Sequence, residues 1–136
     1  LDPRGIMAVR SKDREVNMDK VNLEQKFELF DEHWTPKRVG ELNGQQVKIA
    51  KLKGEFVWHH HEAEDEMFLV VKGRLTIKLP DENVVLDQGE FLIVPRGMEH
   101  MPVAEQEAHI LMFEPKSTLN TGNIQDSRTR TDLEVI

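Results

Sequence analysis

From residue 38 to residue 113 apolar and polar side chains alternate with a period of two, and glycine and proline cut the pattern at short intervals. An extended chain points successive side chains to opposite faces, so each short run reads as a strand with one buried face. The runs are residues 38–42, 45–52, 55–61, 67–71, 74–79, 84–86, 91–95, 99–103 and 109–113. Between them lie Asn43-Gly44, Gly54, Gly73, Pro80-Asp81, Gly89 and Pro95-Arg96-Gly97. Asn-Gly accepts the positive φ angles of a type I′ turn, so the first two runs form a hairpin. Many short strands at this spacing do not favour βαβ units and predict a barrel or sandwich.

Outside this region the pattern changes. Leu23, Phe27 and Phe30 recur at helical spacing behind an Asn22/Gln25 capping pair, which predicts one short N-terminal helix laying its apolar stripe over an end of the sheet. Residues 1–18 are polar and aperiodic and are expected to form a flexible arm, and residues 117–136, rich in Thr, Asn, Asp and Arg, form either an ordered strap or a mobile tail. A chain of 136 residues has room for one core, placed at residues 19–116.

Charge and composition narrow the partners. The net charge of −7, with no basic cluster, disfavours nucleic acid and anionic membrane surfaces. No run of about 18 apolar residues is available to span a bilayer, and the absence of cysteine suits a reducing compartment, so a soluble, cytoplasmic protein is expected. Without cysteine, any metal must be held by nitrogen and oxygen.

One stretch carries chemistry. WHHHEAEDE, residues 58–66, is a metal site, a pH-sensitive patch or a solvated loop. On a strand, His59 and His61 share a face and His60 takes the other. Two imidazoles on one face begin a chelate, Glu66 can return a carboxylate across a short turn, and His100 follows a Pro-x-Gly turn between two apolar strands. His33, His60 and His109 read as structural or solvent-facing residues, Glu62, Glu64 and Asp65 as a solvated tip, and Arg74 and Arg96 as turn-flanking residues in solvent. Three imidazoles and a carboxylate suit Fe, Mn, Zn, Ni, Co or Cu, so the donors do not name the ion.

At these residues the chain resembles the cupins. Their first motif, G(x)5HxH(x)3-4E(x)6G, is matched by Gly54, His59, His61, Glu66 and Gly73, with Gly54 one residue closer than the pattern. The second, G(x)5PxG(x)2H(x)3N, is matched by Gly89, Pro95, Gly97 and His100, with Ala104 in place of the closing Asn. The resemblance implies a small antiparallel jelly-roll β-barrel, usually a homodimer, with one divalent transition metal per chain held by His59, His61, Glu66 and His100. Alternation adds an apolar wall of Val57, Phe68 and Met112 around a small-molecule ligand. Two functions follow: a metal-dependent enzyme of isomerase, dioxygenase or lyase type acting on a small polar metabolite, or a non-catalytic module that binds a small molecule or a metal.

Overall fold

The structure is a computed structural model that describes residues 8–10 and 15–136. Its elements in chain order are β1 (Ala8–Arg10), β2 (Glu15–Asn17), α1 (Leu23–Phe27), β3 (Lys37–Leu42), β4 (Gln45–Glu55), β5 (Glu66–Lys72), β6 (Arg74–Lys78), β7 (Asn83–Asp87), β8 (Phe91–Val94) and β9 (Met101–Pro115). β1 and β2 pair antiparallel with each other, and the rest of the arm expected at residues 1–18 lies largely outside the described residues. The other seven strands form one antiparallel sheet in the order β3-β4-β9-β5-β8, with β6 joining β9 and β7 joining β6, which rolls into an all-β jelly-roll barrel.

The β3–β4 hairpin turns at Asn43 (φ 51°) and Gly44 (φ 77°), the paired positive angles of the expected type I′ turn. Two strand boundaries differ from the alternation pattern. The strands expected at 99–103 and 109–113 merge into a single 15-residue strand, β9, which starts at Met101 and whose Glu105, Gln106 and Glu107 are exposed. β9 continues because it is paired on both sides of residues 105–107: β4 and β6 hold its start, β4 resumes from Ala108 to Pro115 after a register shift, and β5 joins from His109 to Phe113. Residues 57–61 carry no ladder, only an isolated bridge between His59 and His100.

The barrel interior packs Ala50, Leu52, Phe68, Val70, Leu75, Ile77, Ala108, Ile110 and Met112 around one core. A second cluster sits on the outside. Phe27 and Phe30 bury themselves against Ile49 with Leu111 beside them, so α1 covers the outer face of β4 and β9 rather than an end of the sheet. Asn22 caps the helix by accepting the Gln25 N–H at 3.0 Å.

Candidate metal centre

His59 and His100 come together through the backbone. They exchange both main-chain hydrogen bonds, His59 N to His100 O at 3.0 Å and His100 N to His59 O at 2.9 Å, which sets their side chains on one face. His61 is tied to the same turn, since its carbonyl accepts the Gly97 N–H at 2.8 Å. Glu66 opens β5 and points inward in step with Phe68 and Val70. One donor atom from each of His59, His61, Glu66 and His100 lies within 4.8 Å of every other, and all four residues are buried.

Hydrogen bonds orient two of the rings. His59 Nδ1 donates to Val57 O at 2.8 Å and His100 Nδ1 to Met98 O at 2.8 Å. A carbonyl only accepts, so each ring carries its proton on Nδ1 and presents the Nε2 lone pair to the cluster. The interior atoms are left without protein hydrogen bonds: both ring nitrogens of His61, Oε1 of Glu66 and Nε2 of His100 are buried and unpartnered. His61 Nε2 and His100 Nε2 lie 3.3 and 3.4 Å from Glu66 Oε1, close but outside hydrogen-bond geometry. Buried polar atoms left unpaired cost about 1–3 kcal/mol each. A cation bound by neutral imidazoles and one carboxylate would take up Glu66 Oε1, His100 Nε2 and one nitrogen of His61 together, so the residues fit a metal ion.

The electrostatics favour the ligand form of His59 and Glu66. Burial, assisted by His100, pushes the His59 imidazole down to about 4, so it stays neutral at physiological pH. Glu66 and Glu114 form a coupled carboxyl pair. Burial raises Glu66, but the neighbouring Glu114 carboxyl and the adjacent His100 and His61 rings outweigh it and hold Glu66 well below the usual carboxylate range. Glu114 goes the other way, raised by burial and then by the Glu66 charge, with Lys48 offsetting part of the rise. The opposite shifts favour the negative charge on Glu66 over Glu114. Lys48 Nζ donates to Glu114 Oε1 at 2.7 Å, with both side chains 2% exposed.

The remaining polar residues of the motif stretch form the rim. His60 is held between Glu99 (Nδ1, 2.7 Å) and Glu62 (Nε2, 2.6 Å), which keep it above its usual range. Asp65 accepts the Arg96 N–H at 2.9 Å, Ser117 donates to Glu64 at 3.3 Å, and Arg74 pairs with Asp87 at 2.7 Å. His33 bonds Glu107 at 3.0 Å, and His109 stacks on Phe27 with ring centroids 4.5 Å apart.

A cavity of about 30 Å³ beside His59, Glu66 and Glu114 is walled by Trp34, Phe56, Phe68 and Met112. Of the wall expected from alternation, Phe68 and Met112 line it and Val57 does not, because residue 57 lies outside any ladder. Trp34 stacks on Phe56 at 4.6 Å, and Arg128 lies over Phe56 at 4.8 Å while donating to Glu55 O at 3.0 Å. Trp34, Phe56, Lys48 and Glu114 were not among the residues singled out in the sequence, where each looks like ordinary strand or loop material.

Residues 116–136 pass over this end of the barrel. Asn123 clasps His60, its amide N–H donating to His60 O at 3.1 Å and its Oδ1 accepting the His60 N–H at 2.9 Å. Gly122, at φ +57°, packs so closely that a Cβ there would run into the His60 carbonyl oxygen. Gly122→Ala is therefore expected to lift this segment from the ligand stretch, lowering the thermal midpoint by several degrees and weakening metal binding. Differential scanning fluorimetry with and without added metal reads both effects, and unchanged values would contradict the close approach.

The His59 shift also fixes a sign. A base whose folded-state value lies below its usual 6.5 contributes stability that is present above pH 6.5 and lost as pH falls through about 4. Glu114, raised, contributes in the opposite sense: present below its usual 4.5 and lost as pH rises through its folded value. In a Glu114→Gln background, metal-depleted protein is expected to lose stability steadily on acidification from pH 6.5 to 4, as followed by denaturant titration. A His59 midpoint near 6.5 by NMR would contradict it.

Comparison with known proteins agrees with this architecture. A cupin domain family model matches residues 46–114. The uncharacterized protein YdbB of Bacillus subtilis (strain 168) is 40% identical over 63 residues, covering 46% of this chain and 56% of YdbB. Tetracenomycin polyketide synthase protein TcmJ of Streptomyces glaucescens is 34% identical over 67 residues, 48% of this chain and 45% of TcmJ. The chain thus matches about half the length of these curated relatives. A crystal structure of a cupin-2 domain containing protein from Shewanella frigidimarina NCIMB 400 superposes with a TM-score of 0.69 at 44% identity, covering 70% of this chain and 93% of that one. With both histidine motifs converging inside a matched barrel, the chain belongs to the cupin domain family.

Proposed function

We propose that the protein is a metal-dependent enzyme acting on a small polar metabolite, with one divalent transition metal per chain held by His59, His61, Glu66 and His100. The observation that carries this reading is the set of four buried, mutually close donor residues, in which atoms of His61, Glu66 and His100 have no protein partner. When bound, such an ion supplies a Lewis acid or an oxygen-binding centre. The chain's own residues do the rest. Val57 O and Met98 O hold the His59 and His100 rings with Nε2 inward. Glu114, raised where Glu66 is lowered, favours Glu66 as the anionic donor. Trp34, Phe56, Phe68 and Met112 exclude water from all but a small space next to the donors.

Isomerase, dioxygenase and lyase chemistries all fit this arrangement. Substrate turnover by protein reconstituted with Fe, Mn, Zn, Ni, Co or Cu, screened against a metabolite panel, tests the enzyme reading. Turnover that disappears in His59→Ala supports it, and tight ligand binding without turnover supports a non-catalytic binding module instead.

We also propose a homodimer. β8 ends the sheet, and its outward Phe91 and Ile93 are 58% and 55% exposed, an apolar open edge suited to pairing with a second copy. Light scattering at micromolar concentration is expected to give twice the chain mass, and Ile93→Asp to shift it toward monomer. A monomeric parent protein would overturn the assembly. Among the described residues no helix is long and apolar enough to cross a membrane.

A further inference from the structure

A second cleft, about 190 Å³ in volume, lies beyond the Lys48–Glu114 pair from the donor cluster, between the β3–β4 hairpin and residues 116–133. At roughly 30 Å³ per water it has room for on the order of six waters, enough for a small solute. Its lining carries four cationic residues, Arg38, Lys48, Lys116 and Arg130, against one carboxylate, Asp132, which sits on the exposed rim. On a chain of net charge −7 this is a local reversal of sign.

The cations are placed but not used up. Arg38 gives Nε and Nη2 to one acceptor, Leu133 O, at 3.3 and 3.0 Å, leaving Nη1. Arg130 spends only Nη1, on Ser127 O and Thr129 O at 2.9 and 3.2 Å, leaving Nε and Nη2. Lys48 has three donors, of which one meets Glu114 at 2.7 Å and a second reaches Thr118 O at 3.4 Å. Lys116 makes no side-chain hydrogen bond or ion pair among the described residues. The floor adds an independent sign of a missing partner. Thr118 is 7% exposed, and its Oγ1 is buried with no hydrogen bond at all. A hydroxyl in that state is normally satisfied by something bound.

We infer that this cleft is a binding site for a small oxyanion, a carboxylate or a phosphoryl group, received by Lys116, Arg38 and Arg130 at the mouth and by Thr118 and Lys48 at the floor. Planar guanidinium forks and ammonium groups around an unpaired hydroxyl match oxyanion acceptors, which neutral or cationic solutes lack. The site does not depend on the metal reading, because Glu114 stands between the two and no donor of the His59 cluster lines the cleft.

The test is a titration of the protein with inorganic phosphate and, separately, with acetate, followed by 1H–15N NMR, as purified and after chelator treatment. Saturable shifts of the Lys116, Thr118 and Thr131 amides in both preparations are expected. Affinity should fall at least tenfold in a Lys116→Gln/Arg130→Gln double variant whose thermal midpoint matches the parent. Tighter binding of phosphate assigns a phosphoryl ligand, and tighter binding of acetate a carboxylate. Shifts confined to residues 59–66 and 98–101, or binding unchanged in the variant, would overturn the site. So would the absence of any saturable shift.

Discussion

His59→Ala is expected to weaken divalent metal binding by on the order of a hundredfold or more, while His60→Ala, one residue away, leaves it nearly unchanged. Loss even of a residue that merely orients a ligand costs about 10–100-fold in metal affinity, and His59 supplies a donor itself. His59 is 2% exposed with Nε2 turned into the cluster, whereas His60 faces the rim between Glu62 and Glu99. Competition against a chromophoric chelator measures the affinities, and elemental analysis of untagged protein measures occupancy. Because the metal satisfies donors that otherwise lie buried and unpaired, its removal from the parent should also lower the thermal midpoint; binding at a thousand times Kd is worth about 4 kcal/mol. Equal metal affinity in His59→Ala and the parent would refute the four-donor centre, and so would a large loss in His60→Ala.

Glu114→Ala is expected to destabilise the fold by about 3–5 kcal/mol, because it leaves the Lys48 ammonium inside the barrel without its carboxyl partner. Glu114→Gln should be much milder. Its amide oxygen still accepts from Lys48, so the buried ammonium keeps its partner. A Lys48→Met/Glu114→Leu pair, which removes both polar groups together, should recover most of the stability lost in Glu114→Ala. Urea unfolding of the four proteins measures this. If Glu114→Ala and Glu114→Gln proved equally stable, the Lys48–Glu114–Glu66 chain of contacts would carry no structural weight.

Much of the fold is visible locally. The Asn43-Gly44 turn, the Asn22 cap and the apolar stripe of Leu23, Phe27 and Phe30 are short-range signals, and each forms in the structure by the interaction its residues favour. The clustering of His59, His61, Glu66 and His100 is visible too, although residues 57–61 are not a regular strand. His59 and His61 face inward because one backbone bridge to His100 and one hydrogen bond from Gly97 fix them, which gives the outcome of alternation without a ladder. The break placed between residues 103 and 109 failed for the opposite reason. Glu105-Gln106-Glu107 looks like a loop, but pairing partners on either side carry the strand through.

The sequence by itself determined the class of fold, the hairpin, the helix and the identity of the four clustered donors, since period-two patterning, turn chemistry and motif spacing act over a few residues. Only the tertiary structure decided which face of β4 is interior. Val47 and Ile49 look like core, yet Gln46, Lys48, Ala50 and Leu52 turn into the barrel while Ile49 packs under α1. Both faces of that strand are covered, so local hydrophobicity does not distinguish them. That choice buries Lys48 beside Glu114, 66 positions away in the chain, sets Glu114 against Glu66, and opens the cationic cleft beyond, all through contacts between distant segments.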